Sequence, residues 1–403
     1  MLSSKRNPNI DFAKGALIIL VVAGHLLPGT IEGSFARFLI YFFHMPVFFA
    51  ICGYLIPRSK LASTTPKELV AYYVPRVVIP WFLAVLIYYT LVNAPLFEEV
   101  SPETFAGAFI CPYLHLWFII AFVTFIAMTK AFIFIGSSIA SIEDCSRNLM
   151  FKEGRSSARC AQFKRRRLRL LWIFLLTVAT LISVSFLIYN QNTYATGEYT
   201  DAEYTVMHDF HFFYYIYFVF GMFLREYTPR FKPLMRKALY VVTTVLAAAI
   251  PFSYAFGGSP AGLALKYAFN LCLITCMIHA FENRSLPRNR FLENIGRNSL
   301  AYYLYLQAGK TITVHFFTYA DNPVAYWCTA ILLTFGIYLL IGALGKIPAV
   351  SRLFFGILPR RSRSKKSTGT SLEIRPYRVS PMEIPHPYGQ SVRRRLSYDK
   401  SVV

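Results

Sequence analysis

A chain of 403 residues that is 55% hydrophobic, 17% aromatic and only 15% charged is too apolar for an ordinary soluble domain. Its formal net charge of +22 must therefore be concentrated between the apolar runs and in the tail. That distribution excludes a nucleic-acid binder and points to a multi-pass membrane protein.

The first apolar run, 12–29, lacks a small-residue cleavage site and reads as a retained helix rather than a signal peptide. Nine further runs follow at 35–56, 74–94, 112–135, 169–189, 210–225, 238–256, 261–281, 299–318 and 324–345, giving about ten expected spans. The sixth is short for a membrane crossing. The fold class expected is all-α: a polytopic bundle over 1–350, then a disordered, basic, proline-containing tail over 351–403. The tail's Arg393-Arg394-Arg395-Leu396-Ser397 suits anionic lipid headgroups. The cysteines are scattered. Cys272 and Cys276, one helical turn apart in an apolar run, read as reduced structural residues, and no zinc-ligand spacing occurs.

The connections alternate in sign. Lys5 and Arg6 precede the first span, and Glu32 follows it. Arg58, Lys60 and Lys67 are then answered by Glu98, Glu99 and Glu103. The long segment 136–168, read as a loop, ends in Arg165-Arg166-Arg167 and is followed by Glu198, Asp201 and Glu203. The basic groups at 225–237 and 284–297 flank an uncharged connection at 257–262. The positive-inside rule then puts both termini in the cytoplasm. The expected location is a plasma membrane of the bacterial inner-membrane type.

This orientation assigns depths to the polar residues. Lys14 lies at the cytoplasmic end of the first span, one turn from Asp11, with which it can pair. His25 follows in the outer half, a rise of ~16 Å away. An ionisable group inside a membrane segment is costly and by default functional. His44 falls in the outer half of the second span, and His115 opens the fourth, just before Trp117. His208, His211 and His315 read as interfacial anchors, whereas His279 and His386 fall toward the cytoplasm. Arg76 enters the third span from the cytoplasmic side, where it can snorkel to headgroups or fork onto a phosphate. Only His208 and His211 have local ligand spacing, so no metal site is expected.

Several motifs carry a family resemblance. Ile10-Asp11-Phe12-Ala13-Lys14 through Gly24-His25 resembles the opening motif of the acyltransferase 3 family of integral membrane O-acyltransferases, in its fucose 4-O-acetyltransferase-like branch. The Lys14-x10-His25 spacing matches that family's Arg/Lys-x10-His signature. Phe43-His44-Met45-Pro46 through Gly53-Tyr54, Leu116-Trp117-Phe118 and Ile295-Gly296-Arg297-Asn298-Ser299 through Tyr305 resemble further elements of it. Cys52 stands where the family usually has Ser, and Gln307 where it often has His.

The resemblance implies transfer of an acetyl or other short acyl group from cytoplasmic acyl-CoA to a hydroxyl of a carbohydrate or lipid-linked glycan. It implies His25 as the essential histidine, with Lys14 and Arg76 toward the CoA. His44, His115 and Trp117 are the expected substrate-side residues. Acetyl-CoA is then the donor substrate, with no metal, and membrane lipids and glycan-assembly machinery are the expected company. No nucleic acid partner is expected. The polar residues alone also fit a proton-coupled transporter or exporter of a glycan or small solute.

Overall fold

The computed structural model describes residues 7–357, apart from 32, 94–101, 113–114, 151–156, 197–199, 201–202, 204–205, 207–208, 229–230, 257–258, 284–285, 318 and 320. The basic tail beyond 357 and His208 lie outside the described residues. Among the described residues the fold is all-helical with no strand.

The elements in chain order are α1 (Pro8–Leu26), α2 (Phe35–Leu55), α3 (Arg58–Ser63) and α4 (Pro66–Tyr73). A π turn, Val74–Val78, leads into α5 (Ile79–Asn93), followed by α6 (Pro102–Ile110), α7 (Trp117–Met150) and α8 (Ser157–Thr196). A 3-10 turn at Phe212–Tyr214 opens α9 (Tyr215–Tyr227). Then come α10 (Pro233–Ala248), α11 (Ile250–Ala255), α12 (Pro260–Asn283), α13 (Arg290–Arg297) and α14 (Ser299–Tyr305). The last are α15 (Ala308–Phe316), α16 (Pro323–Leu344) and α17 (Pro348–Leu353).

Among the described residues, seven helical stretches are long and apolar enough to cross a membrane, at Pro8–Leu26, Phe35–Leu55, Pro66–Leu91, Trp117–Ser138, Arg165–Gln191, Pro260–Asn283 and Pro323–Leu344. The protein is thus a multi-pass membrane protein, as its composition demands. The other three expected spans fold as shorter pieces. The stretch 210–225 starts late because His211 has a left-handed backbone, φ 41°. The stretch 238–256 is divided between α10 and α11, next to Pro251. The stretch 299–318 is interrupted at Leu306–Gln307, between α14 and α15. Residues 136–150 and 157–168, expected within a loop, instead prolong α7 and α8, and Arg167 ties the two by donating to the Ser137 carbonyl at 2.9 Å. Outward-facing residues such as Leu332, 70% exposed, present the apolar surface that lipid requires.

Helices in lipid gain nothing from hiding apolar surface from each other, so close packing through small residues must hold them. The most extensive pairings are α1 with α13 and α2 with α9. Both are glycine contacts. A Cβ at Gly296 would collide with the Asp11 carbonyl, and one at Gly15 with the Leu292 carbonyl. Gly53 and Gly221 make the reciprocal approach between α2 and α9, against the Phe218 and Ala50 carbonyls.

The helix starts are legible in residue types. The Asn7 side chain accepts from the Asn9 amide with Pro8 in the first turn, and Thr65 with Glu68 forms a capping box. Inside α2, Pro46 removes the amide that would bond to Phe42. The Asn270 amide on α12 replaces it, donating to the Phe42 carbonyl at 2.9 Å.

Gly296→Ala and Gly53→Ala are expected to destabilise the folded protein by ~1–3 kcal/mol through overpacking. Gly336→Ala, whose new methyl meets nothing within 4 Å, should be neutral. Thermal unfolding in detergent, read side by side, checks this, and equal melting of all three variants would refute it.

Candidate functional site

Two polar clusters lie at opposite ends of α1. At the first, Lys14 Nζ is 3.5 Å from Asp11 Oδ1 and 3.5 Å from Ser299 Oγ. Asp11 is buried, and its backbone is pinned by Gly296, so the glycine crossing fixes where the lysine reaches. Ser299 opens α14 and lines a cavity of about 880 Å3. Cys52, Lys60, Tyr72, Arg76 and Arg297 line the same cavity.

Arg76 owes its position to the π turn. The wider turn shifts the register between α4 and α5, a device common at functional sites. Its guanidinium carbon sits 4.1 Å from the centre of the Tyr72 ring, and Nη1 donates to the Tyr72 carbonyl at 3.2 Å. Gly356, at φ +64°, lies against the Arg76 backbone, where a Cβ would strike the Arg76 carbonyl. Three cationic side chains therefore line one cavity, with Lys14 behind Ser299. Such a set binds a polyanion through charge-assisted hydrogen bonds.

At the other end of α1 the histidines meet. The His25 and His115 ring centres are 6.1 Å apart. The Tyr41 hydroxyl is 3.4 Å from His25 Nδ1, and the Tyr41 and His44 rings are in edge contact at 5.0 Å. His44 Nδ1 lies 2.6 Å from the Ile40 carbonyl and donates to it, since a carbonyl only accepts. His115 is held by the Leu304 carbonyl, 3.4 Å from Nε2, and by the Tyr303 hydroxyl, which donates to its backbone carbonyl. Tyr88 stacks edge-on against it at 5.6 Å. The charges of Lys310 and Arg37 also act on His25. Arg37 donates to the Leu27 carbonyl at 3.2 Å and to the Gly29 carbonyl, closing the chain over the end of α1.

The structure thus brings His25, His44 and His115 into one cluster, and it places Arg76 in a cavity that Lys14 approaches only through Ser299. It does not bring Trp117 to the histidines. Trp117 stacks on His211 at 3.8 Å and on Tyr214 at 6.0 Å. His315 is bound to the Leu91 carbonyl at 2.9 Å, and His279 to Arg236 at 2.7 Å, both away from the two clusters. Among the described residues, no three His, Cys, Asp or Glu side chains stand close enough together to hold a metal ion.

Sequence reasoning passed over Tyr41, Arg297, Ser299 and Lys310. Tyr41 was signalled by its place three residues before His44, on the same helical face. Lys310 was signalled by being an ionisable residue in an apolar stretch. Arg297 and Ser299 stand inside a quoted motif, but only the fold turns them toward Lys14.

The sequence model of an acyltransferase family, described as an acyltransferase domain, matches residues 7–345. Among curated proteins, the chain is similar to the nodulation protein NolL of Mesorhizobium japonicum (strain LMG 29417 / CECT 9101 / MAFF 303099). Identity is 36% over 106 residues, covering 25% of this chain and 28% of that protein. It is also similar to the nodulation protein NolL of Sinorhizobium fredii (strain NBRC 101917 / NGR234), 44% identical over 69 residues, covering 15% of this chain and 19% of that protein. The aligned parts are thus under a third of either relative's length. No solved structure matches.

Because Asn270 supplies the bond that Pro46 removes two residues from His44, Asn270→Ala should leave the Phe42 carbonyl without a partner. A stability loss of ~1–3 kcal/mol is expected. Thermal unfolding of the purified variant checks it, and an unchanged midpoint would show that α2 does not depend on this bond.

Proposed function

The chain belongs to the acyltransferase family defined by that domain, and from this premise we propose that it is a membrane O-acyltransferase. It moves an acetyl or other short acyl group from cytoplasmic acyl-CoA to a hydroxyl of a carbohydrate or lipid-linked glycan. The observation that carries the reading is the polarity of α1, with a cation-lined cavity at its Lys14 end and a histidine cluster at its His25 end.

Arg76, Lys60 and Arg297 line the cavity and suit the phosphates of acyl-CoA. The ~16 Å rise from Lys14 to His25 is about the reach of an extended pantetheine arm, roughly a dozen bonds advancing a little over 1 Å each. A donor held by its phosphates in the cavity therefore brings its thioester near His25.

A sugar hydroxyl attacks a thioester only once a base takes its proton, and a histidine suits that task. In the tautomer whose Nδ1–H donates to the Tyr41 oxygen, Nε2 keeps a free lone pair for the acceptor hydroxyl. The hydroxyl oxygen then bonds to the acyl carbon, its proton passes to Nε2, and the C–S bond breaks. The thiolate leaving group takes the proton back, giving an ester and free CoA. His44 and His115 lie beside His25 and line the acceptor side in this reading. The resemblance to the fucose 4-O-acetyltransferase-like branch supports a sugar as the acceptor.

Membranes containing the protein, given labelled acetyl-CoA, should label carbohydrate. His25→Ala should cut that labelling by at least ~100-fold at unchanged abundance, and full labelling in this variant would refute the mechanism. Tyr41→Phe should lower kcat about tenfold by freeing the imidazole to turn. Arg76→Ala is expected to raise KM for acetyl-CoA about tenfold with kcat preserved. A change in kcat alone would remove Arg76 from the donor site.

A further inference from the structure

The break between α14 and α15 places Gln307 in the interior, only 1% exposed. Its Nε2 donates to the Val21 carbonyl at 3.2 Å. This bond fixes the amide orientation, since the flipped form would set two oxygens against each other. Oε1 is then buried with no hydrogen-bond partner among the described residues. A buried acceptor left unmet costs ~1–3 kcal/mol, so such an atom is open to a donor from a ligand or a water.

Its level along the bundle identifies the ligand. Lys14 bonds to Ser299, and Val21, seven residues on, bonds to Gln307, eight residues on from Ser299. α1 and the α14 segment therefore run side by side, in the same sense, from the cationic cavity toward His25. Gln307 meets α1 one turn short of His25, a rise of ~6 Å. In an acyl-CoA arm the amide nitrogen nearest the sulfur lies about 5 Å from the thioester carbonyl carbon. When that carbon stands beside His25, that N–H stands at the level of Gln307.

We infer that Gln307 is a donor-binding residue whose Oε1 accepts a hydrogen bond from the thioester-proximal amide N–H of the pantetheine arm. The inference rests on the acyl-CoA reading above and adds a recognition element for the thioester end of the donor.

The test pairs two donors with two proteins. One donor is acetyl-CoA, and the other its analogue with that amide N–H replaced by an ester oxygen. Full-length wild-type protein should prefer acetyl-CoA about tenfold in kcat/KM, the value of one discriminating hydrogen bond. Gln307→Met keeps the side-chain volume, and the preference should fall below about twofold. Gln307→His, which retains a ring acceptor, should recover most of it.

A loss of rate in Gln307→Met with the tenfold preference intact would reduce Gln307 to a structural role and overturn the inference. So would a wild-type protein indifferent to the two donors, a result that needs no variant to fold. Failure of the wild type to turn over acetyl-CoA at all would instead overturn the donor reading, and this inference with it.

Discussion

The backbone contact between α1 and α13 is the constraint on which the rest depends. Gly15 and Gly296 let the two helices approach until carbonyl oxygens occupy the space a methyl would need. In lipid, where burial of apolar surface drives nothing between helices, such closeness is a main source of attraction. Its consequence is positional. It holds Asp11 against the end of α13, just before α14 begins, and so sets Lys14 beside Ser299 at the edge of the cavity. The parallel contact of Gly53 and Gly221 anchors the part of α2 that brings Cys52 to the same cavity.

Between the two polar ends, α1 is apolar from Gly15 to Gly24. That interval separates incompatible requirements. Phosphate recognition needs several cations and access to water, whereas a basic imidazole works best shielded from solvent. In the proposed reading, a single helix holding both at a fixed rise would keep the anionic end of the donor far from the histidine while its neutral, reactive end reached it.

The long spans were legible because their signal is local. Uninterrupted apolar runs such as 324–345 form helices with nearly those bounds, here Pro323–Leu344. The broken spans were not, because a break in a membrane helix survives only where tertiary partners meet the freed polar groups. The Gln307 bond to Val21 joins residues 286 positions apart, which no window along the chain can see. The same holds for the site. His25 and Lys14 share one helix and a fixed spacing, so their relation was written in the sequence. Whether His115 or Trp117 joined them depended on which side of the first turn of α7 faced α1, and the aromatic stack with His211 and Tyr214 takes Trp117 the other way. Lys310 escaped notice because its partners come from α1 and the start of α2.

The bond from Asn270 to the Phe42 carbonyl has a consequence in time rather than space. The chain is made from its N-terminus, so α2, with Pro46 at its centre, reaches the membrane long before residue 270 exists. Until then the Phe42 carbonyl has no protein donor from α12, and the segment carrying His44 lacks that cross-helix bond. The histidine cluster therefore belongs to the last stage of assembly even though two of its members are synthesised first. A nascent or truncated chain that ends before α12 would insert α2 without the Asn270 donor to the Phe42 carbonyl.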